Sequence, residues 1–381
     1  MSLQTFDIGP IRPPSEATSL LLRVTQNCTW NKCRFCTLYK GHKFMTRTNE
    51  EIKKDIDAMA FYRDRILSYS KNGIVDYEKA SFDYENLETQ EEKYCYNMVY
   101  TWIVAGKMQS MFLQDANTMV LQSDRLADII SYAKEKIPEI KRITSYGRAD
   151  SLSRISDASY ILLKNAGLSR IHSGFETGSD KVLKILNKGT TQNQQIESGI
   201  KIKEADIELS MYFMPGAGGI NLSKENAIET AKVINATNPD FVRLRTFVVK
   251  TNSPMHELVL NGEFKECTDI EKLKEIKLLI ENISGCNGYI ASDHIINLLD
   301  RVNGHLDKDI PKILNYINEL LSLPRYNQRQ YQMARRMGFN GDFKELSKLD
   351  LENMNTVNMY CKTLSEENFE ELLIKYLNLY I

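Results

Sequence analysis

Three cysteines stand close together near the start of the chain, Cys28, Cys33 and Cys36, and the other four cysteines are isolated. One close group within an odd set of seven indicates metal binding or catalysis rather than disulfides. Three thiolates suit a four-iron cluster whose fourth iron stays open to another ligand. Together with His42 they also make up a three-cysteine, one-histidine zinc site. The spacing alone leaves both kinds of metal site open.

The cysteine segment directly follows an apolar run at 19–24, which we predict to be a strand. Further strand-like segments alternate with helix-like ones, as expected for right-handed parallel crossovers. The predicted fold class is therefore α/β, as a barrel or an open doubly wound sheet. The carboxyl ends of such strands carry the chemistry of α/β folds. The six predicted strands lie at 19–24, 110–115, 142–146, 168–174, 208–214 and 240–249.

Alternation along the last of these strands places Val242 and Leu244 on one face and Arg243 and Arg245 on the other. Two inward arginines need partners, and Glu208 on the preceding strand is predicted to neutralise one of them. The arginines either pair at the buried end of a barrel or bind a substrate or cofactor.

A second motif follows the fourth predicted strand, in the segment RIHSGFETGSDKVLKILNKGTT at 170–191. With the cysteine segment, it resembles the Elp3-like and HemN-like branch of the radical S-adenosylmethionine superfamily. The commonest family signature has three residues between its first two cysteines, and this chain has four. The resemblance implies a partial (β/α)6 barrel, a [4Fe-4S] cluster on the three cysteines, and S-adenosylmethionine at its open iron.

The resemblance also implies which residues contact S-adenosylmethionine on its adenosine side. Glu176 corresponds to a glutamate that contacts the bound cofactor, with a helix-start carboxylate as the alternative. Gly174, on the same strand face, permits close backbone approach. Phe35 matches an aromatic position near the adenine, and Met214 begins a glycine-rich turn that approaches the adenine.

Three further residues are predicted at the methionine side of the cofactor. Asp115 and Asn117 stand where the family binds the methionine amino group, although the glycines of the family motif are absent; the alternative is a strand-ending turn. Arg148 suits the methionine carboxylate, because guanidinium groups bind carboxylates in a bidentate manner. An ordinary ion pair is the alternative for Arg148.

The expected activity is reductive cleavage of S-adenosylmethionine to a 5′-deoxyadenosyl radical that takes a hydrogen atom from a small-molecule substrate. Asp293 and His294 are the clearest polar pair of the helical part after residue 250. We predict both as substrate contacts, with a helix cap as the alternative for Asp293. The full predicted substrate-binding set is Asp293, His294, Arg243, Arg245 and His172.

Chain length and the single cysteine group resemble queuine lyase, an enzyme that releases 7-aminomethyl-7-deazaguanine from queuine. Asp293 or Asp115 is the predicted partner of the guanine-like edge. One alternative is a HemN-like or methyl-transferring enzyme acting on a tetrapyrrole or another cofactor precursor. The other is a zinc-binding structural or interaction protein.

Charge and hydropathy limit the kinds of partner and the location that we expect for this protein. Lys plus Arg, 49, nearly cancels Asp plus Glu, 50, so we expect no nucleic-acid partner. We see no secretory signal or membrane span, and we expect a cytoplasmic protein with flavodoxin or ferredoxin as electron donor. The predicted domains are a barrel at 1–250, with a helical insertion at about 64–106, and a mainly helical extension at 251–381 that covers the active site.

Overall fold

The computed structural model describes residues 4–380, and alternating strands and helices dominate the chain. The strands are β1 (Leu20–Arg23), β2 (Thr25–Gln26), β3 (Met45–Thr46), β4 (Ser70–Lys71), β5 (Ile74–Val75), β6 (Ser110–Gln114), β7 (Arg142–Gly147), β8 (Leu168–Glu176), β9 (Glu208–Phe213), β10 (Phe241–Leu244), β11 (Tyr289–Ala291) and β12 (Gly304–His305).

The α-helices are α1 (Asn49–Leu67), α2 (Tyr77–Glu85), α3 (Gln90–Val104), α4 (Ser123–Lys136), α5 (Ala149–Leu152), α6 (Asp157–Ala166), α7 (Asp180–Ile185), α8 (Gln192–Glu204), α9 (Gly219–Thr237), α10 (Pro254–Leu260), α11 (Asp269–Glu281), α12 (Ile310–Leu321), α13 (Arg325–Arg336), α14 (Leu351–Thr363) and α15 (Glu366–Leu379). Three short 3₁₀ helices lie at Pro14–Glu16, Thr118–Val120 and Phe343–Lys348. No helix in the described part of the chain is long and apolar enough to cross a membrane.

The first compact unit contains the residues up to Asn31, Gly41–Ser173 and Lys201–Leu209. Its strands run in the order β1-β6-β7-β8 and all pair in parallel, with Leu22 opposite Leu113 and Leu113 opposite Ser145. Every residue of β6 is buried, as expected of a strand covered on both faces. The helices α1, α4 and α6 pack on one another in sequence order.

The second compact unit contains Lys32–Lys40, Gly174–Ile200 and the residues from Ser210 onward. Here β9, β10 and β11 pair in parallel, and β12 joins β11 antiparallel. The helices α9 and α11 pack against each other. The helices α13, α14 and α15 form a separate apolar core that includes Met333, Val357 and Phe369.

The structure confirms the α/β class, the six predicted strands and the helical C-terminal region, and it differs from the prediction in detail. The last predicted strand ends at Leu244, because the N–H of Thr246 donates to the Asn297 side chain instead of another strand. The strands β11 and β12 and the short pair β2–β3 were not predicted. The insertion contains α2 and α3 as predicted, and also the small hairpin β4–β5. The domain boundary at 250 stays a prediction, and its outer limits, residues 1 and 381, lie outside the described residues.

Candidate cofactor and substrate sites

The first part of the cysteine segment is shaped by two asparagines with left-handed backbone conformation, Asn27 (φ 68°) and Asn31 (φ 47°). Asparagine is one of the few side chains that tolerate this region. The N–H of Asn31 donates to the Cys28 Sγ at 3.5 Å, and its side chain donates to the carbonyl of His42 at 3.0 Å. The N–H of Asn27 donates to the Asp115 carboxylate at 3.1 Å. Cys28 therefore lies on a turn fixed by hydrogen bonds on both sides.

The second part, which carries Cys33 and Cys36, is tied to the end of α7. The backbone N–H of Arg34 donates to the carbonyl of Leu186 at 2.9 Å, and its guanidinium donates to the carbonyl of Ile185 at 2.9 Å. Cys33 is buried and Cys36 is half-buried. These contacts fix the backbone between the two thiols.

All seven cysteines are free thiols, as predicted for a chain that uses them for purposes other than disulfides. Among residues 4–380, no three His, Cys, Asp or Glu side chains are grouped closely enough to hold a single metal ion. The assignment of Cys28, Cys33 and Cys36 as ligands therefore stays a prediction that rests on their chemistry and spacing.

At the end of β6, Asp115 is fully buried and its carboxylate accepts from Arg23 Nε at 3.1 Å and Nη2 at 2.8 Å. Asn117, also fully buried, donates to Thr29 and Ser151 and accepts the backbone N–H of Arg148 at 3.0 Å. Both side chains already have protein partners. Their role toward the methionine amino group stays a prediction.

Arg148 follows β7 and pairs with Asp150, with Nε 2.9 Å from the carboxylate. Its guanidinium also lies over the ring of Trp30, 5.6 Å from the centroid. The ion pair expected as the alternative to cofactor binding is therefore present. The Arg148–Asp150 ion pair does not test the predicted contact between Arg148 and the methionine carboxylate, which stays a prediction.

His172 on β8 lies fully buried with its Nε2 3.2 Å from Glu16 Oε1. Sequence reasoning missed Glu16, which sits on a short 3₁₀ helix before β1 and also accepts from Ser19 at 2.5 Å and Arg142 at 3.0 Å. Burial raises the pKa of Glu16, but the His172 hydrogen bond and the Arg142 charge more than offset this, and the pKa lies below its ordinary value. A buried pair accounts for His172 without a ligand, and its predicted substrate role stays untested.

Glu176, the last residue of β8, has a left-handed backbone (φ 66°), and its carboxylate accepts from Lys188 Nζ at 2.7 Å. A Cβ at Gly174 would collide with that carboxylate. Gly174 thus makes room for the Glu176–Lys188 pair. The helix-start alternative for Glu176 is wrong, because α7 begins later, with Ser179 as its N-cap.

The predicted adenine-side residues Phe35 and Met214 belong to one apolar cluster of the second unit. Lys188 Nζ lies 5.8 Å from the centroid of the Phe35 ring, and the Met214 N–H donates to the Glu176 carbonyl at 2.7 Å. The structure therefore brings Phe35, Met214 and Glu176 together through Lys188 and the backbone. Their contact with the adenosine part of the cofactor stays a prediction.

The glycine-rich turn that follows Met214 is held by a residue the sequence did not single out. Glu275 on α11 accepts the Gly216 N–H at 2.9 Å, the Asn226 side-chain N–H at 2.7 Å and the Ser223 hydroxyl. Burial raises the pKa of Glu275 to about 7, although these hydrogen bonds oppose the shift. A carboxylate at 275 cannot be read as a partner of residue 216 from the sequence, because they lie on different elements.

Arg243 donates to Asp293 Oδ2 and Arg245 donates to Asp293 Oδ1, and Asp293 follows β11. Arg243 also donates to Ser210 at 3.0 Å, and Arg245 lies over the ring of Tyr212 at 4.8 Å. The prediction that the arginines need a partner is thus met by Asp293. The predicted partner Glu208 is wrong, because its carboxylate accepts from Arg170 at 2.7–2.8 Å.

The helix-cap alternative for Asp293 is also wrong, because the residues after it form a loop and the next α-helix begins at Ile310. Burial raises the pKa of Asp293, but the Arg245 and Arg243 charges more than offset it, and the pKa lies below its ordinary value. Burial, with the nearby Arg245 charge, lowers the pKa of His294 to about 4. His294 is therefore a neutral imidazole near pH 7.

Two polar atoms of this cluster are buried and have no hydrogen-bond partner among the described residues, Arg245 Nη2 and His294 Nδ1. A buried donor left without an acceptor costs about 1–3 kcal/mol. Such a cost is expected where a ligand or water supplies the missing partner.

Asn297 holds the segment that carries Asp293 and His294. Its Oδ1 accepts the N–H and hydroxyl of Thr246, and its Nδ2 donates to the Leu244 carbonyl at 3.1 Å and to Ser292 at 3.0 Å. One amide thus joins the ends of β10 and β11.

The helix α13 fixes the same segment from its other side. Arg336 donates to the Ile296 carbonyl at 2.8 Å, and Arg335 donates to the Asn297 carbonyl at 3.3 Å. Arg336 is itself held by a buried ion pair with Asp269 at 2.6 Å. The C-terminal helices therefore position the predicted substrate contacts.

Comparison with known proteins gives a family match and several distant structural similarities. Residues 22–231, more than half of the 381-residue chain, match the Radical SAM superfamily. No curated protein matches the sequence.

Among solved structures, Elp3 of the archaeon Methanocaldococcus infernus is 16% identical over 55% of this chain and 54% of that chain, with a TM-score of 0.41. The methyltransferase TsrM of Kitasatospora setae is 13% identical over 64% and 37%, with a TM-score of 0.43. HemN of Escherichia coli, coproporphyrinogen III oxidase, is 11% identical over 69% and 51%, with a TM-score of 0.41. The match spans about half of the Elp3 chain and just over a third of the TsrM chain.

The family assignment rests on the sequence match rather than on these distant structures. The alternative of a zinc-binding scaffold protein is wrong, because the matched family is one of enzymes. Members act on a substrate together with a reductant. The chain belongs to the radical S-adenosylmethionine superfamily and is an enzyme whose cofactors are a [4Fe-4S] cluster and S-adenosylmethionine.

Proposed function

We propose that Cys28, Cys33 and Cys36 hold the cluster and that the enzyme cleaves S-adenosylmethionine reductively to act on a small-molecule substrate. The single observation that carries the proposal is the match over residues 22–231, which contains all three cysteines. The cluster on these residues would supply the electron for reductive cleavage of S-adenosylmethionine to methionine and a 5′-deoxyadenosyl radical, the species that would abstract hydrogen from the substrate.

The residues of the chain fit this pair of cofactors. The three thiols are free, and the Asn31 N–H already donates to the Cys28 sulfur, a contact that tunes iron–sulfur clusters. Gly174 leaves space beside the Glu176 carboxylate that any other side chain would fill.

Two of the predicted cofactor contacts, Asp115 and Glu176, are held by a neighbour that restricts their orientation. Arg23 fixes the Asp115 carboxylate, and Lys188 fixes the Glu176 carboxylate. With these partners, the two carboxylates have fewer conformations to lose when a cofactor binds. The work of the protein is to bind the reactants in contact and exclude water.

The test is anaerobic reconstitution of the full chain with iron and sulfide, followed by dithionite and S-adenosylmethionine. We expect 5′-deoxyadenosine and methionine in equal amounts from the wild type, and neither product from Cys33→Ala. Cys361→Ala is the matched control, because Cys361 is also a buried free thiol but stands alone. Product formation by Cys33→Ala at the wild-type rate would remove Cys33 from the ligand set.

The arginine cluster supports a polar small-molecule substrate, bound by Arg243, Arg245, Asp293 and His294. We propose flavodoxin or ferredoxin as the electron donor. A large apolar cleft, which a HemN-like tetrapyrrole substrate requires, has no support from this charged set.

Queuine lyase stays a prediction without support of its own. The Asp293 and Asp115 carboxylates, its predicted partners for a guanine-like edge, both accept from arginine. Release of 7-aminomethyl-7-deazaguanine from queuine by the reduced enzyme would establish it. Absence of that product, with 5′-deoxyadenosine still formed, would reject it.

A further inference from the structure

One cluster of the second unit carries a net charge of +1. It consists of Arg243, Arg245, Asp293 and His294. Two guanidiniums face one carboxylate, whose two oxygens they share. The low pKa of His294 leaves the imidazole uncharged near pH 7. The surplus charge lies at the carboxyl ends of β10 and β11, the edge where α/β folds bind ligands.

The cluster also has more hydrogen-bond donors than acceptors. Arg243 donates from Nε to Ser210 and from Nη1 to Asp293, whereas Arg245 Nη2 is buried with no acceptor within the described chain. His294 Nδ1 is likewise buried without a partner. The missing partner of a guanidinium N–H is an acceptor, and the acceptors that arginine prefers are carboxylate and phosphate oxygens.

The surroundings keep Arg245 in place while leaving that N–H unused. Its Nη1 donates to Asp293 at 2.5 Å and to the Leu244 carbonyl at 2.9 Å. The ring of Tyr212 lies against the guanidinium plane, 4.8 Å from its carbon. An arginine fixed on one edge and one face presents its remaining edge without further loss of side-chain freedom.

We propose that Arg245 and His294 bind an anionic group of the substrate, a carboxylate or a phosphate. Arg245 donates from Nη2, and His294 donates from Nδ1 in its neutral form. Asp293 limits the site to one surplus charge and orients Arg245. The inference rests on the proposed function, because it names the substrate class of the same site.

Equilibrium dialysis of the full, cluster-loaded chain tests this with two probes, inorganic phosphate and acetate. S-adenosylmethionine is kept saturating without reductant, and potassium chloride holds the ionic strength constant. We expect one anion per chain, and the stronger of the two probes identifies the oxyanion preferred. Arg245→Gln is expected to weaken binding at least tenfold.

The matched control is Arg170→Gln, which removes another largely buried arginine, one that forms an ion pair with Glu208. It should bind the anion within twofold of the wild type. His294→Ala should weaken binding at least threefold. Circular dichroism and the visible absorption of the cluster establish that each variant is folded.

Asp293→Asn gives an effect of opposite sign, which a merely structural role would not produce. Removal of the carboxylate leaves two unneutralised arginines, so anion binding should strengthen at least threefold. The proposal is overturned if the wild type binds neither probe, if Arg245→Gln binds as the wild type does, or if Asp293→Asn weakens binding. Formation of 5′-deoxyadenosine by the wild type and Arg170→Gln is measured separately, so failure of the proposed function is distinguished from failure of the anion site.

Discussion

Two polar clusters of this enzyme have similar side chains but differ in whether every buried polar atom has a hydrogen-bond partner. Around Glu16, the two carboxylate oxygens accept from Ser19, Arg142 and His172, and neither oxygen is left without a partner. Around Asp293, the carboxylate is equally well paired, yet neighbouring atoms of Arg245 and His294 have no partner in the described chain. The first cluster is closed, and the second is open.

Their positions on the strands explain the difference. Ser19 precedes β1 and Arg142 is the first residue of β7, so two of the three partners of Glu16 lie where strands begin, and His172 lies in the middle of β8. The open cluster lies where β10 and β11 end. In α/β barrels the first edge contributes stability and the second carries function. A fully satisfied network is rigid, whereas a buried atom without a protein partner is free to pair with a ligand or water.

The largest expected effect distinguishes the clusters by stability. Glu16→Ala leaves His172 and Arg142 without their shared partner, and should lower the free energy of unfolding by about 2–4 kcal/mol. Asp293→Asn should change it by less than about 1 kcal/mol, because that side chain is part exposed. Urea denaturation followed by circular dichroism measures both. Equal losses would mean that the open cluster is as structural as the closed one.

An intermediate effect concerns stabilisation by added anion. At a phosphate concentration ten times its dissociation constant, the wild type should gain about 1.4 kcal/mol in unfolding free energy. Arg142→Gln should start from a lower stability but gain the same increment, whereas Arg245→Gln should gain almost none. Denaturation with and without phosphate, at constant ionic strength, gives the increments. If phosphate no longer stabilises the Arg142 variant, the distinction between the two clusters is wrong.

The smallest expected effect is a pH dependence from His294. Its pKa is about 4 in the folded enzyme against an ordinary 6.5, so the unfolded chain binds a proton that the folded chain excludes. Stability from this group is present above pH 6.5 and is lost as the pH falls toward 4, by about 1 kcal/mol after allowance for partial burial.

Urea midpoints at several values between pH 7.5 and about 4.5 measure this dependence. His294→Asn should lack this part of it, whereas His305→Asn, a change at an exposed histidine, should retain it. If both variants follow the wild-type curve, His294 is solvated in the folded enzyme.

Sequence patterns predicted the fold class and most strands because these depend on local alternation and on turn chemistry. They missed β11, since three residues are too few for an alternation of apolar and polar residues to be recognised. They also missed Glu16, because a short 3₁₀ helix among prolines carries no periodic signal.

The ion-pair partners of the arginines were harder to predict than the strand face on which the arginines lie. Inward arginines at 243 and 245 were expected, but the choice of Asp293 over Glu208 depends on contacts between residues about fifty positions apart. The strand register places Ser210 opposite Phe241, so Glu208 lies beyond the paired residues. No local pattern encodes that register, and the arginine partner had to come from the folded structure.

The contacts of Arg335 and Arg336 have a consequence for synthesis of the chain. Both arginines bind carbonyls that lie about forty residues earlier in the sequence. At roughly 5–20 residues per second, a ribosome needs about 2–8 seconds to add that interval. During this delay the loop of Asp293 and His294 is already made but lacks these contacts, so the anion site matures only after residue 336 has been translated.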